Sequence, residues 1–415
     1  MTLAQGLSGL VQKTRLNSGL RIVTESVPFV RSVALGIWVQ VGSRDEQAEE
    51  QGLSHFLEHM LFKGTQKRNA FEIAHSLESL GGSLDAFTSR DVTCFYARCL
   101  DEHLSDSLDV ISDMLQHSIF DPEEIEKEKR VVLEEIQTVE DTPDDLIHDL
   151  FAKSVWGEDP VGAPIMGAPV NVQSFFQEKL ISFLGQHYHP ERIVIAVAGN
   201  LDHNKIVDEV GRLFHFPVAH LNLPERKQPQ EVLHANQHFQ RDIGQTHICL
   251  GTIACAYTHP RRTEQMIANT ALGEGMSSRL FQEIRERLGL AYSVYSYLEM
   301  LEDTGLFGTY MACDSARVEE AVNIAQLEIK RLKQEGISDQ ELKSSKAQLR
   351  GELILGQESM DNRMGRIAQQ EMYTGQYCSV EESLSNIEAV TQLRVLEACQ
   401  TLLDADHLHR VTVGP

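Results

Sequence analysis

A short segment near residue 96 recurs near residue 310, and this self-similarity constrains the fold of the 415-residue chain more than any other feature. Phe95-Tyr96-Ala97-Arg98-Cys99 precedes a helical pattern from Glu102 to Gln116, and Tyr310-Met311-Ala312-Cys313 precedes a similar pattern from Val318 to Leu332. Tyr96 and Tyr310 lie 214 residues apart, as do Cys99 and Cys313. Self-similarity at that offset implies two related domains, each about half the chain. Residues 217–230 contain three prolines among mixed polar residues and read as the linker. The expected division is therefore 1–216, a linker over 217–230, and 231–415.

Local patterns predict a mixture of strands and consecutive helices. Val33 to Val41 and Val92 to Cys99 read as strands, and Leu16-Asn17-Ser18-Gly19-Leu20 reads as a hairpin turn. Apolar periodicity predicts helices over Phe71 to Leu80, Asp101 to Gln116, Pro122 to Glu140 and Val172 to Gln186. Ile193 to Ala198 reads as a buried strand and Asp202 to Leu213 as the helix closing the first domain. Strands mixed with runs of helices favour an α+β fold, with helices packed on mostly antiparallel sheets, over a doubly wound parallel sheet.

One motif carries chemistry. In His55-Phe56-Leu57-Glu58-His59 the histidines are four residues apart, so on a helix both rings face one side and can share a metal ion. Glu58 projects toward the same side, in the order H-x-x-E-H that inverts a zinc-peptidase motif and offers a general base. A catalytic zinc takes three protein ligands, so a third must come from elsewhere. Pro122 to Glu140 reads PEEIEKEKRVVLEEIQTVE, a helix on which Glu128 and Glu135 share a face about 10 Å apart. Against this stands the reading of a plain solvated acidic face. Applied without gaps, the repeat offset puts Asn269, Leu272 and Gly273 opposite His55, Glu58 and His59, leaving the second copy without a metal site.

These residues resemble the pitrilysin and insulin-degrading enzymes together with the mitochondrial processing peptidases, most closely the processing-peptidase β-like and bacterial single-half members. The resemblance implies that His55, His59 and Glu135, the last in Val131-Val132-Leu133-Glu134-Glu135-Ile136-Gln137, hold one Zn2+ per chain. It implies Glu58 as general base and Glu128 as a supporting glutamate off the metal. Gly81-Gly82-Ser83-Leu84-Asp85-Ala86-Phe87-Thr88-Ser89 is similar to the family's edge strand, which binds peptide as an added strand through Leu84, Asp85, Ala86 and Phe87. Family members often carry Asn where this chain has Asp85. Ile284-Arg285-Glu286-Arg287-Leu288-Gly289-Leu290-Ala291-Tyr292 is similar to the C-terminal-domain patch that supplies an arginine and a tyrosine, here Arg285 and Tyr292. A phenol can donate to a developing oxyanion and a guanidinium can hold a substrate carbonyl. Gly273-Glu274-Gly275-Met276-Ser277-Ser278-Arg279-Leu280 also looks like that domain. The resemblance further implies a clamshell-like chamber formed by pairing, either as a homodimer or with a related chain, and unfolded peptides as substrates.

Composition narrows partners. The formal net charge is −24, and residues 101–150 hold 17 Asp or Glu against 3 Lys or Arg. Such acidity disfavours nucleic acid and suits basic or presequence-like peptides, although much of it can serve solubility. The longest uncharged run, 160–177, is broken by prolines and glycines and predicts no membrane span. MTLAQGLSGLVQK lacks a basic start and does not read as a secretion signal. Seven cysteines without CxxC suggest reduced thiols and a cytoplasmic protein. The pairs His234/His238 and His187/His189 read as incidental. Two functions are thus carried forward. One is a zinc endopeptidase. The other is a non-catalytic scaffold or peptide-binding relative, which usually loses part of the metal motif that this chain keeps whole.

Overall fold

The computed structural model describes residues 9–216, 226–230 and 232–415. The first eight residues of the N-terminal stretch and most of the expected linker, 217–225, lie outside them. The first copy runs β1 (Leu10–Arg15), β2 (Arg21–Ser26), β3 (Ser32–Val39), α1 (Leu53–Leu61), α2 (Ala70–Glu78), β4 (Ser83–Thr88), β5 (Thr93–Leu100), α3 (Leu104–His117), α4 (Pro122–Glu140), α5 (Pro143–Trp156), α6 (Pro169–Ser174), α7 (Gln177–His187), β6 (Ile193–Gly199) and α8 (His203–Leu213). The second runs β7 (Asn236–Gln240), β8 (Thr246–Ile253), α9 (Arg262–Gly273), a π-helical turn (Phe281–Arg287), β9 (Ala291–Met300), β10 (Gly305–Cys313), α10 (Val318–Glu335), α11 (Asp339–Gly356), α12 (Met360–Tyr373), α13 (Val380–Ala389), α14 (Gln392–Leu402) and β11 (His409–Gly414).

The two sheets repeat one topology. Their strand orders are β1-β2-β6-β3-β5-β4 and β7-β11-β8-β10-β9, so β2, β6, β3, β5 and β4 have counterparts in that order. The 214-residue offset carries both ends of β3 onto both ends of β8. Pairing is antiparallel except between β2 and β6 and between β7 and β11. Burial follows position. Central β6, Ile193–Gly199, is apolar and buried at every residue because helices cover both faces, whereas edge strand β4 alternates toward exposure. The chain is thus α+β, with two sheets each packed with helices.

Chain order and packing do not coincide. One compact unit takes residues up to 136, then 164–226 and 354–381; the other takes 137–163, 227–353 and 382–415. Consequently α5, from the first copy, buries Ile147, Phe151 and Trp156 against Cys249, Tyr310 and Val411 of the second sheet. Its counterpart α12 buries Met360, Met364 and Met372 against Val23, Trp38 and Val194 of the first. A buried Glu25–Arg363 ion pair and the Trp38 indole N–H donated to the Met364 sulfur add polar anchors for α12. The compact units therefore cross the division expected at 217–230 by exchanging one helical segment each.

One predicted helix is two. Residues 172–186 break at Phe175 and Phe176, both extended, giving α6 and α7. The break turns the Phe175 ring into the core, 5.4 Å from Phe56 of α1, a contact that outweighs helical continuity.

Candidate metal centre

The motif helix α1 starts abruptly. Residues 48–50 form a 3-10 turn, and Gly52 then takes φ +94, with room for no side chain since a Cβ would come within 2.4 Å of the Met166 carbonyl oxygen. Glu46 accepts the Gly52 N–H at 2.7 Å and the Ser54 N–H at 2.6 Å. From there α1 buries Leu53, Phe56, Leu57, Met60 and Leu61 in the core beneath the first sheet. That apolar face fixes the rotation of the helix and leaves His55, Glu58 and His59 together on another side.

Three side chains, those the resemblance names as ligands, lie together. Ligating atoms of His55, His59 and Glu135 lie within 4.8 Å of one another, the one group of this kind among the described residues. The two Nε2 atoms are 3.2 Å apart, and each lies 3.7 Å from Glu135 Oε2. Glu128 accepts a hydrogen bond from His59 Nδ1 at 2.8 Å. A carboxylate can only accept, so the proton sits on Nδ1 and a neutral His59 presents the Nε2 lone pair. Lys63 closes the chain, 2.7 Å from the other Glu128 oxygen. Burial, reinforced by the charge of His59, lowers His55 to about 4, so at neutral pH it is the uncharged imidazole that binds metals. For His59 burial is outweighed by the Glu128 hydrogen bond and its pKa rises, so a cation there competes with a proton. Two imidazole nitrogens and a carboxylate oxygen, one nitrogen oriented by a buried carboxylate, form a donor set that fits zinc.

The remaining groups are ordered around this set. Glu58 is nearly buried, which raises its pKa, and it accepts the Thr88 hydroxyl proton at 2.5 Å. Thr88 ends β4, the outer strand of the first sheet, hydrogen-bonded to β5 alone among the described strands. Leu84, Asp85, Ala86 and Phe87 lie on this strand, with Asp85 and Phe87 exposed. Glu128 is held below the usual carboxylate range because hydrogen bonds from His59 and Lys63 outweigh its burial.

Arg285 and Tyr292 belong to the second unit and meet each other. The guanidinium donates to the Tyr292 carbonyl oxygen at 3.0 Å and lies 4.4 Å from the ring centroid. The tyrosine is 78% exposed, and Arg285 sits on the π-helical turn. Such turns often accompany functional positions. The other histidine pairs stay apart from this chemistry: His238 meets Thr412 and His189 accepts the Glu191 N–H. Sequence reasoning missed Lys63 and Glu46, and it placed Thr88 in the edge-strand stretch without a role. Lys63, four residues after His59, was within reach of helical spacing; nothing local singled out Glu46.

Two imidazoles one helical turn apart, a carboxylate from a second helix and a held glutamate between them are the arrangement of an inverted zinc-hydrolase motif. The family profile described as insulinase, peptidase family M16, matches residues 21–169, and that of the peptidase M16 inactive domain matches 174–349. An uncharacterized zinc protease of Streptomyces coelicolor is 41% identical over 94% of this chain and 87% of its own. One from Bacillus subtilis is 40% identical over 96% and 97%. The chain belongs to peptidase family M16, the insulinase family. Its fold is shared with a peptidase M16 inactive domain from Pseudomonas fluorescens, TM-score 0.91 at 20% identity over 98% of each chain. A protease from Helicobacter pylori matches equally well, TM-score 0.91 at 20% identity over 98% of this chain and all of its own. No helix among the described residues is long and apolar enough to cross a membrane.

Proposed function

We propose that this protein is a zinc-dependent endopeptidase acting on unfolded peptides, with one zinc per chain. The observation that carries the reading is the convergence of His55, His59 and Glu135 beside a glutamate, Glu58, held by Thr88. When bound, zinc supplies Lewis acidity, polarising a carbonyl and acidifying water. His55, His59 and Glu135 would hold it, and Glu128 would keep His59 in its ligating tautomer. Glu58 accepts the proton of the attacking water and later passes it to the leaving amine. Burial raises its pKa, the direction that both tasks need. The outer edge of β4 offers unpaired backbone groups on which an extended peptide can pair, bringing its chain past Thr88 and Glu58. Arg285 and Tyr292 would hold a substrate carbonyl and donate to the developing oxyanion.

The same reading extends to assembly, substrate and compartment. Family M16 membership supports pairing into a chamber that admits unfolded peptides, in a homodimer or with a related chain, and the net charge of −24 supports a preference for basic or presequence-like ones. Seven free cysteines, six of them buried, support a cytoplasmic location. The decisive experiment measures bound zinc and peptide hydrolysis in the wild type and in Glu58→Gln. The expected result is zinc in both and a drop in kcat of about 10²–10⁴-fold in the variant. A wild type without zinc, or a variant that cleaves equally fast, overturns the reading in favour of a non-catalytic relative.

A further inference from the structure

We propose that Glu46 is the positioning residue that sets where the motif helix begins, and through it the spacing of the two histidines from Glu135. The inference rests on the zinc reading of the site and adds a residue that the motif does not contain. Glu46 is 2% exposed and gives one carboxylate oxygen to the Gly52 N–H and the other to the Ser54 N–H. These are amides at the start of α1, where a helix has no internal acceptors. His55 is the next residue after Ser54, so the clamp acts one residue from the first proposed ligand. Gripping two amides with two oxygens fixes both the height of the helix along its axis and the direction from which the chain enters it.

The second copy shows that folding does not require this device. There α9 runs without interruption from Arg262 to Gly273, and the 214-residue offset places Arg262 opposite Ala48. The equivalent helix in the first copy is broken at Gly52 and restarts at Leu53. Glu46 itself falls opposite Pro260, and at the start of α9 the Arg261 N–H is accepted by the neighbouring His259 ring at 3.1 Å, with no carboxylate spanning two amides. The positive-φ glycine, which only a residue without a Cβ can supply here, occurs in the copy that carries the histidines, whereas the buried carboxylate at the start of α9, Glu264, pairs with Arg394 at 2.5 Å and holds no helix-start amide. The loop bearing Glu46 is itself pinned. The neighbouring Arg44 donates to Asp91 at 2.9 Å with both side chains almost fully buried, and Asp45 pairs with Arg226 at 2.6 Å. The clamp therefore transmits a fixed frame and does not follow the helix.

The test uses the full chain with Glu46→Gln and Glu46→Ala. The Val210→Ala variant, at a buried position in α8 with no polar role, is the control for a simple loss of stability. Zinc affinity is read by competition with a chelator, and kcat and KM are measured at a temperature where each variant is folded by circular dichroism. Expected for the Glu46 variants is a loss of about 10–100-fold in zinc affinity, the range seen when groups supporting a ligand are removed, with kcat falling and KM nearly unchanged. Zinc affinity within twofold of the Val210→Ala control overturns the proposal, as does failure of both Glu46 variants to fold, which would make the residue a folding element. A wild type that binds no zinc would instead overturn the metal reading on which the clamp rests.

Discussion

The two copies of the fold share strand order and helix positions and differ in what their inner helices present. In the first, α1 and α4 bring His55, His59, Glu58, Glu128 and Glu135 together. At the same offset the second has Asn269 and Gly273 for the histidines, and Leu272, Leu342 and Leu349 for the three glutamates. Leu272 and Leu349 are buried in the second core, and Leu342 packs on it. One scaffold thus serves two ends. Where its helices carry charge, the site must be oriented by Glu128, Lys63 and Thr88; where they carry leucine, the same space is filled by core. The difference also explains why the proposed zinc count is one.

The sharpest way to break this contrast is to remove a ligand. His55→Ala is expected to take bound zinc from one per chain to none and to abolish peptide hydrolysis, since two remaining donors make a poor site. Metal analysis after gel filtration checks it. Zinc retained at one per chain in the variant would show that His55 is not a required ligand and break the reading of the first copy as the zinc-bearing one.

How much of this was legible in the sequence depends on distance along the chain. His55, Glu58 and His59 lie within one helical turn and a spacing rule finds them. Glu135 was reachable only because the resemblance named it, although the helical face it shares with Glu128 is visible in the pattern. The contact of Thr88 with Glu58 and the role of Glu46 escaped notice because the partners are 30 and 8 residues away, across a strand or a loop whose path no local pattern states. The exchange of α5 and α12 was hidden for a different reason. Periodicity shows that a helix has an apolar face; it does not say which sheet will cover it. The same limit explains the false continuity of 172–186, where burial of Phe175 decided the break.

That exchange yields the next test. Phe151, on a helix encoded in the first copy, is fully buried in the core of the second sheet, and Met364 does the reverse. Phe151→Ala is expected to cost about 3–5 kcal/mol and Met364→Ala about 2–5 kcal/mol. Hydrogen exchange reads where the cost falls. Phe151→Ala should speed exchange in β8 and β10 and spare β3 and β6, while Met364→Ala should do the opposite. Loss of protection in the sheet of the helix's own copy would show that the helices do not support the sheets on which they pack.

The smallest effects separate the two units by the sign of their pH dependence. Burial pushes Glu46 up to about 8 from an ordinary value of 4.5. Its folded form holds a proton that the unfolded chain releases, so its contribution to stability is whole below pH 4.5 and lost as pH rises through about 8. Glu341, in the second unit, is drawn down to about 2, its burial outweighed by hydrogen bonds from Arg279 and Ser338. Its contribution is whole above pH 4.5 and lost as pH falls toward about 2; because the pair is partly solvated, it amounts to about 1–2 kcal/mol. Unfolding midpoints of the metal-free protein from pH 2 to 9 should therefore fall on both sides. Glu46→Gln should flatten the alkaline limb alone, and Glu341→Gln the acidic limb alone. If one substitution flattened both limbs, the two carboxylates would be reporting on a single cooperative unit, and the contrast between the copies would be one of chemistry without a matching difference in stability.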